Sequence, residues 1–123
     1  MQRTVSAEVG RRGERIAVDW LRDNGYMILE LNWRSGRYET DIIAVKGATI
    51  HFVEVKTRAA AGWSRPEDAI TPEKCRALFR CAEAYLALYG RGFEPQFDMV
   101  AVDMFPDGKY DIRYIENAMQ CHW

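Results

Sequence analysis

The sequence predicts a mixed α/β (α+β) fold in which a mixed central β-sheet is flanked by helices. Its 123 residues provide for one hydrophobic core. Two segments have the apolar periodicity of amphipathic helices, and five shorter segments have the composition of strands. They follow the order α, β, β, β, α, β, β without repeats or an internal linker, which indicates a single domain over residues 1–123.

The first helix is predicted over Ser6–Asn24, where apolar residues recur at helical spacing. Ser6 suits an N-cap, and Asn24 followed by glycine is typical of a helix end. Gly10 and Gly13 lie toward the apolar stripe, which favours close packing of the helix. At 100° per residue, Glu14 falls at the edge of that stripe, so its carboxylate is placed to point into a cleft.

Three strands are predicted to follow the first helix, over Tyr26–Asn32, Tyr38–Val45 and Ile50–Thr57. The second and third strands are separated by a short turn that contains glycine, so they are expected to form a hairpin. Residues Arg58–Ile70 have the composition of a loop, with alanine, glycine, serine and proline.

The second helix is predicted to begin at Thr71, with Pro72 in its first turn, and to end at Gly90. Its apolar residues form one continuous stripe, which indicates a face buried in the core. The last two strands are predicted over Phe97–Met104 and Tyr110–Asn117, joined by a proline- and glycine-containing turn.

The overall charge argues against a strongly basic, non-specific nucleic-acid binder, because the net charge is −1 and the pI is about 6.1. The charge is divided unevenly, at +3 for residues 1–80 and −4 for residues 81–123. The sequence shows no signal-type apolar segment at its start and no apolar run long enough for a membrane helix. Its three cysteines include no C-x-x-C pair, so we expect a cytoplasmic protein with reduced thiols and no membrane partner.

Charged residues in two apolar strands are the strongest candidates for a functional site. Glu54 and Lys56 lie two apart on the third strand and therefore share a face. Asp41 on the second strand is expected opposite Glu54, because this pairing centres the hairpin between Gly47 and Ala48. Adjacent carboxylates repel each other unless a cation lies between them.

Carboxylate and carbonyl oxygens are the ligands that Mg²⁺ prefers, so the pattern predicts a site for Mg²⁺ or Mn²⁺. Its predicted ligands are Asp41, Glu54 and the carbonyl of Val55, with Glu14 adding a further carboxylate from the first helix. Lys56 is placed to orient a water or to stabilise negative charge in a transition state. The alternative is an exposed cross-strand ion pair without catalytic function. Asp98, on the fourth strand, is interpreted as a buried partner of an arginine.

The combination of an acid on one strand and E-x-K on the next resembles the PD-(D/E)XK nuclease pattern. More closely, the chain resembles the bacterial YraN-like family, which is related to archaeal Holliday-junction resolvases. The resemblance runs from Ala7 to Val102 and is most specific in Phe52–Arg58. Two positions differ from the family pattern: Tyr38 stands where a glycine is common, and Thr40 replaces an aliphatic residue.

This resemblance implies a restriction-endonuclease-like core and Mg²⁺-dependent hydrolysis of phosphodiester bonds. It implies that Asp41 and Glu54 are metal ligands, that Lys56 is the catalytic lysine and that Glu14 is an accessory acid. It also implies a homodimer, since the related resolvases act as dimers.

The basic residues around this site are candidates for phosphate contacts in DNA. The four selected from the sequence are Arg11, Arg34, Arg58 and Lys74. The alternative for each is a solvated side chain held in a local ion pair. The sequence therefore predicts a Mg²⁺-dependent endonuclease acting on linear or branched DNA. The alternative is a catalytically silent module of the same fold that binds DNA or a protein partner.

Overall fold

The structure is a computed structural model, which describes residues 5–59, 68, 70–90 and 92–119. Two helices and five strands follow the predicted order. Their bounds are α1 (Val5–Asp23), β1 (Met27–Ser35), β2 (Tyr38–Lys46), β3 (Thr49–Ala59), α2 (Pro72–Tyr89), β4 (Glu94–Met104) and β5 (Tyr110–Ile115).

The five strands form one mixed sheet in the order β1-β2-β3-β4-β5. Strands β1 to β3 are antiparallel neighbours, β3 and β4 are parallel, and β4 and β5 are antiparallel. The parallel pair requires a crossover, which α2 provides between β3 and β4. The mixed sheet flanked by helices is therefore confirmed.

The helices cover opposite faces of the sheet. On one face, Ala17 and Leu21 of α1 pack into a cluster that includes Ile42 and Val53. On the other face, Leu78 and Tyr85 of α2 pack into a second cluster, which includes Ile43 and Phe52. The alternation of neighbouring strand residues between the two clusters is the two-residue period of a sheet buried on both sides.

Some boundaries differ from those predicted, because pairing extends strands beyond their most apolar residues. Strand β1 continues to Ser35, where it pairs with Tyr38, and it carries an irregularity between Ile28 and Glu30. The helix signals are confirmed for α2. Thr71 caps its first turn by accepting a hydrogen bond from the Lys74 backbone N–H.

Gly13 allows α1 to approach the sheet closely. A Cβ atom at this position would lie 1.9 Å from Thr57 Oγ1, so any larger residue would force the helix and β3 apart. The expectation that Gly10 also allows close packing is wrong, since a Cβ there would contact nothing within 4 Å. The helix therefore comes nearest to β3 one residue before Glu14.

The expectation of reduced thiols is wrong for Cys75, which is disulfide-bonded. Its Sγ also lies 3.9 Å from Sδ of the buried Met119, so the segment after β5 returns to α2, a tertiary contact that cysteine spacing does not reveal. Cys81 is a free, buried thiol, and Cys121 lies outside the described residues. No helix among the described residues has the length and apolar character of a membrane span.

Candidate active site

The candidate site lies where β2 and β3 separate. Their ladder runs from the Lys46–Thr49 pair to the Ile42–Val53 pair, which is the predicted register. Beyond this point β3 remains paired with β4 as far as Ala59, whereas β2 remains paired with β1. Asp41 is the first β2 residue past the end of the shared ladder, so its carboxylate lies in the fork between the strands.

Asp41 is held in this fork by the backbone of β3. The Val55 N–H donates a hydrogen bond to Asp41 Oδ2 over 2.8 Å. The pKa of Asp41 is raised to about 7, mainly by burial and then by the negative charges of Glu54, Glu14 and Glu39, while the hydrogen bond from Val55 lowers it. Asp41 thus has several acidic neighbours and one backbone hydrogen-bond donor, so its charged form is disfavoured.

Glu54 and Lys56 share the face of β3 that is covered by α2. Thr57, between them and the end of the strand, points the other way, toward Gly13 of α1. Lys74 near the start of α2 places its Nζ 2.9 Å from Glu54 Oε1. Lys56 is half-buried and forms no ion pair with any residue that the structure describes.

Glu14 reaches the fork from the opposite helix. Burial raises the pKa of Glu14, and the charges of Glu39 and Glu54 add to this, while a hydrogen bond from the Asn32 side chain opposes it. The negative charge of Glu14 is in turn one of the smaller causes that raise the pKa of Asp41. The role of Glu14 as an accessory acid of the site stays a prediction.

The chemistry of this carboxylate cluster fits a hard divalent cation. Asp41 has acidic neighbours that a cation would neutralise, and Mg²⁺ commonly uses only one or two protein carboxylates and keeps several waters. Among the described residues, no group of three or more histidine, cysteine, aspartate or glutamate side chains is placed to hold a metal ion together. The role of the Val55 carbonyl as a metal ligand stays a prediction; the contact that the structure records at this residue is made by its N–H.

The four residues selected as DNA contacts are all engaged in ion pairs. Arg11 pairs with Glu8, Arg34 with Glu39, Arg58 with Asp103, and Lys74 with Glu54, at 2.8, 3.2, 2.7 and 2.9 Å. The residues of the loop at 60–67, which include Trp63 and Arg65, lie outside the described residues. The sequence located the cations near the site but did not reveal which of them are already neutralised.

Asn32 is a site residue that sequence reasoning missed. Its backbone has φ 52°, in the left-handed region that asparagine tolerates better than most residues. Its side chain hydrogen bonds to Glu14. The available signal was an asparagine inside an otherwise strand-like segment, which does not by itself reveal that its side chain meets Glu14.

The two departures from the family pattern lie on either side of Glu39. The hydroxyl of Tyr38 accepts a hydrogen bond from Arg37 Nη2 over 3.0 Å, and the Arg37 guanidinium lies 5.1 Å from the ring centre. The pKa of Tyr38 is lowered, mainly by this hydrogen bond. Thr40 is fully buried, and its hydroxyl has no hydrogen-bond partner among the described residues.

The interpretation of Asp98 as the partner of an arginine is wrong. Its Oδ2 lies 2.6 Å from His51 Nδ1, and it also accepts hydrogen bonds from Tyr114, Gln96 and the Asn117 backbone N–H. The reason is the parallel pairing of β3 and β4, which places the two residues on adjacent strands. Asp98 is therefore structural and separate from the fork.

The model of uncharacterised protein family UPF0102 matches residues 13–102. A UPF0102 protein of Chlorobium phaeobacteroides is 42% identical over 121 residues, covering 93% of this chain and 95% of that protein. One from Symbiobacterium thermophilum is 42% identical over 115 residues, covering 93% and 98%. One from Bacteroides fragilis is 37% identical over 110 residues, covering 89% and 90%. The resemblance to the YraN-like family is confirmed, and the matched range includes Glu14, Asp41, Glu54 and Lys56.

Proposed function

The chain belongs to the uncharacterised protein family UPF0102, and we propose that it is a Mg²⁺- or Mn²⁺-dependent endonuclease that hydrolyses phosphodiester bonds in DNA. The observation that supports this function is the fork at the end of the β2–β3 ladder. There Asp41 shares a buried, acidic environment with Glu54 and Glu14, and the Lys56 ammonium is not engaged in an ion pair with a described residue.

In this proposal Asp41 and Glu54 hold the cation, and Glu14 adds a carboxylate that orients a bound water. The cation supplies Lewis acidity, which lowers the pKa of water and offsets negative charge on the phosphate. Lys56 stabilises the phosphate oxygens as the water oxygen bonds to phosphorus and the bond from phosphorus to the leaving oxygen breaks. Lys74 holds Glu54 before the cation enters, so its ammonium must be displaced from Oε1 or share the carboxylate.

A binding module without catalysis is the second candidate function, and the Lys74–Glu54 ion pair is the observation that favours it. An ammonium 2.9 Å from a proposed ligand neutralises that carboxylate without any metal. In that case the acids and lysines of the fork form an internal network, and the surface binds DNA or a protein.

Cleavage assays separate the two candidates. Labelled linear, flap and four-way-junction DNA are incubated with the protein and Mg²⁺ or Mn²⁺. We expect cleavage of at least one substrate, lowered about 100-fold or more by Asp41→Asn and by Lys56→Ala. Lys109→Ala is the matched control, because Lys109 is highly exposed in the turn between β4 and β5. Equal cleavage by the wild type and both fork variants would show that any nuclease activity comes from a contaminant.

Thermal unfolding with and without Mg²⁺ tests the metal site independently of cleavage. Binding to the folded state alone stabilises it by about 2.7 kcal/mol when the ligand is at one hundred times its Kd. We expect Asp41→Asn to abolish this gain and Lys109→Ala to retain it. No cleavage together with no metal-dependent stabilisation would favour the binding module. The homodimer implied by the resemblance also stays a prediction, for which light scattering is the measurement.

A further inference from the structure

Three arginines form a stripe along α1. Arg11, Arg15 and Arg22 are separated by four and seven residues, which places them within about 40° of one another around the helix. The stripe is about 16 Å long at the helical rise per residue. A row of basic side chains along one helix face is the electrostatic footprint expected for a nucleic-acid backbone.

A cavity of about 390 Å³ lies beside this stripe, between α1 and β1. Besides the arginines, its lining includes Glu14 and Asn32, the hydrogen-bonded pair that reaches the β2–β3 fork. Leu31, which is 48% exposed, gives the cavity an apolar wall. The cavity therefore shares Glu14 with the candidate active site and combines cationic groups with an apolar surface.

The arginines of the stripe differ in whether a nearby carboxylate neutralises their charge. Arg11 is paired with Glu8, whereas neither Arg15 nor Arg22 forms an ion pair with a residue that the structure describes. A paired arginine must exchange its carboxylate for a phosphate, but an unpaired one gives its full charge to the ligand. Asp19 also lines the cavity and opposes an anion there, as does an ionised Glu14.

We propose that this cavity is a subsite for one DNA strand, in which Arg15 and Arg22 bind phosphates and Leu31 contacts an unpaired base. The inference rests on the proposed function, since the strand would continue from the cavity past Glu14 into the fork. A cavity of this size is in the range that holds a small ligand. Contact between an apolar wall and a base face requires an unpaired base, because bases inside a duplex are covered by their neighbours.

The test measures binding of a fluorescein-labelled oligothymidine by anisotropy, with the full chain carrying Lys56→Ala to prevent cleavage. We expect Arg15→Ala and Arg22→Ala each to weaken binding about 3- to 10-fold and to reduce the dependence of log Kd on log salt by about 0.7. Asp19→Asn, which removes an opposing charge, is expected to tighten binding. Arg11→Ala should have a smaller effect, and Lys109→Ala none, since Lys109 lies outside the cavity.

A second arm compares unlabelled oligothymidine with a perfect duplex as competitors. The subsite predicts that the single strand competes better and that Leu31→Asp removes most of this difference. Equal competition by the duplex, or unchanged salt dependence in the Arg15 and Arg22 variants, would overturn the subsite. Because the assay needs no cleavage, loss of the proposed nuclease activity alone leaves this result unaffected, and the exposed arginines can be replaced without disturbing the core.

Discussion

Two buried aspartates on the central sheet have pKa values shifted in opposite directions. Asp98 on β4 is fully buried and accepts hydrogen bonds from His51, Tyr114, Gln96 and the backbone of Asn117. Burial alone would raise its pKa, but these donors together hold the pKa of Asp98 below its usual range. Asp41 on β2 accepts one backbone hydrogen bond, and burial with its acidic neighbours raises its pKa to about 7.

The difference teaches that the number of hydrogen-bond donors, more than the depth of burial, decides whether the pKa of a buried carboxylate is lowered or raised. The donors around Asp98 connect β3, β4 and the segment after β5, so its charge holds the fold together. Around Asp41 the sheet separates, and the groups that approach are acids. In the proposed function, a divalent cation would neutralise these acids.

The largest expected effect is on stability. Asp98→Ala should lower the free energy of unfolding by about 3–5 kcal/mol, because it leaves buried donors without their acceptor. Asp41→Asn should leave metal-free stability unchanged or raise it, because it removes a charge that its neighbours disfavour. Urea denaturation in EDTA measures both values. A comparable loss in the two variants would mean that Asp41 is as much a structural residue as Asp98.

The pH dependence should be opposite for the two aspartates. The pKa of Asp41 is raised in the folded state, so the folded protein retains a proton that the unfolded chain releases, and stability falls as pH rises from about 4 to about 7. The pKa of Asp98 is lowered, so its contribution is present above the unfolded value near 3.8 and is lost as pH falls through its folded pKa.

Urea denaturation of the metal-free protein at pH 2 to 8 measures this difference. Asp41→Asn should flatten the decline between pH 4 and 7, and it should leave the loss of stability at lower pH unchanged. Asp23→Asn is a control that removes an exposed acid at the end of α1. If the stability of Asp41→Asn declined between pH 4 and 7 as steeply as that of the wild type, the decline would come from another titrating group.

Much of the fold was predictable because it follows from local patterns. Helical periodicity located α1 and α2, and the short glycine turn determined the register that places Asp41 beside Glu54. The fork itself was not predictable, since it depends on β3 remaining with β4 after leaving β2. The pairing of β3 with β4 is parallel and spans a crossover, so it cannot be predicted from residues that are close together in the sequence.

The partners of charged residues were also beyond sequence reasoning. His51 and Asp98 are 47 positions apart and meet only because β3 and β4 are neighbours. In the same way, the pairing of Arg58 with Asp103 depends on these two strands. Composition identifies how many cations a region has, but tertiary structure decides which of them remain available to a ligand.

The smallest expected effect concerns the separate acids around Asp41. After burial, the charge of Glu54 is the strongest influence that raises the pKa of Asp41, and the charge of Glu14 is weaker. Glu54→Gln should therefore lower this pKa more than Glu14→Gln does, and both should leave it above 3.8 because burial persists. Carboxyl ¹³C NMR titration of Asp41 measures the order, with Glu83→Gln as a control in an exposed ion pair on α2. The reverse order would place Glu14, rather than Glu54, as the nearest acid and would move the proposed cation from the β2–β3 fork toward α1.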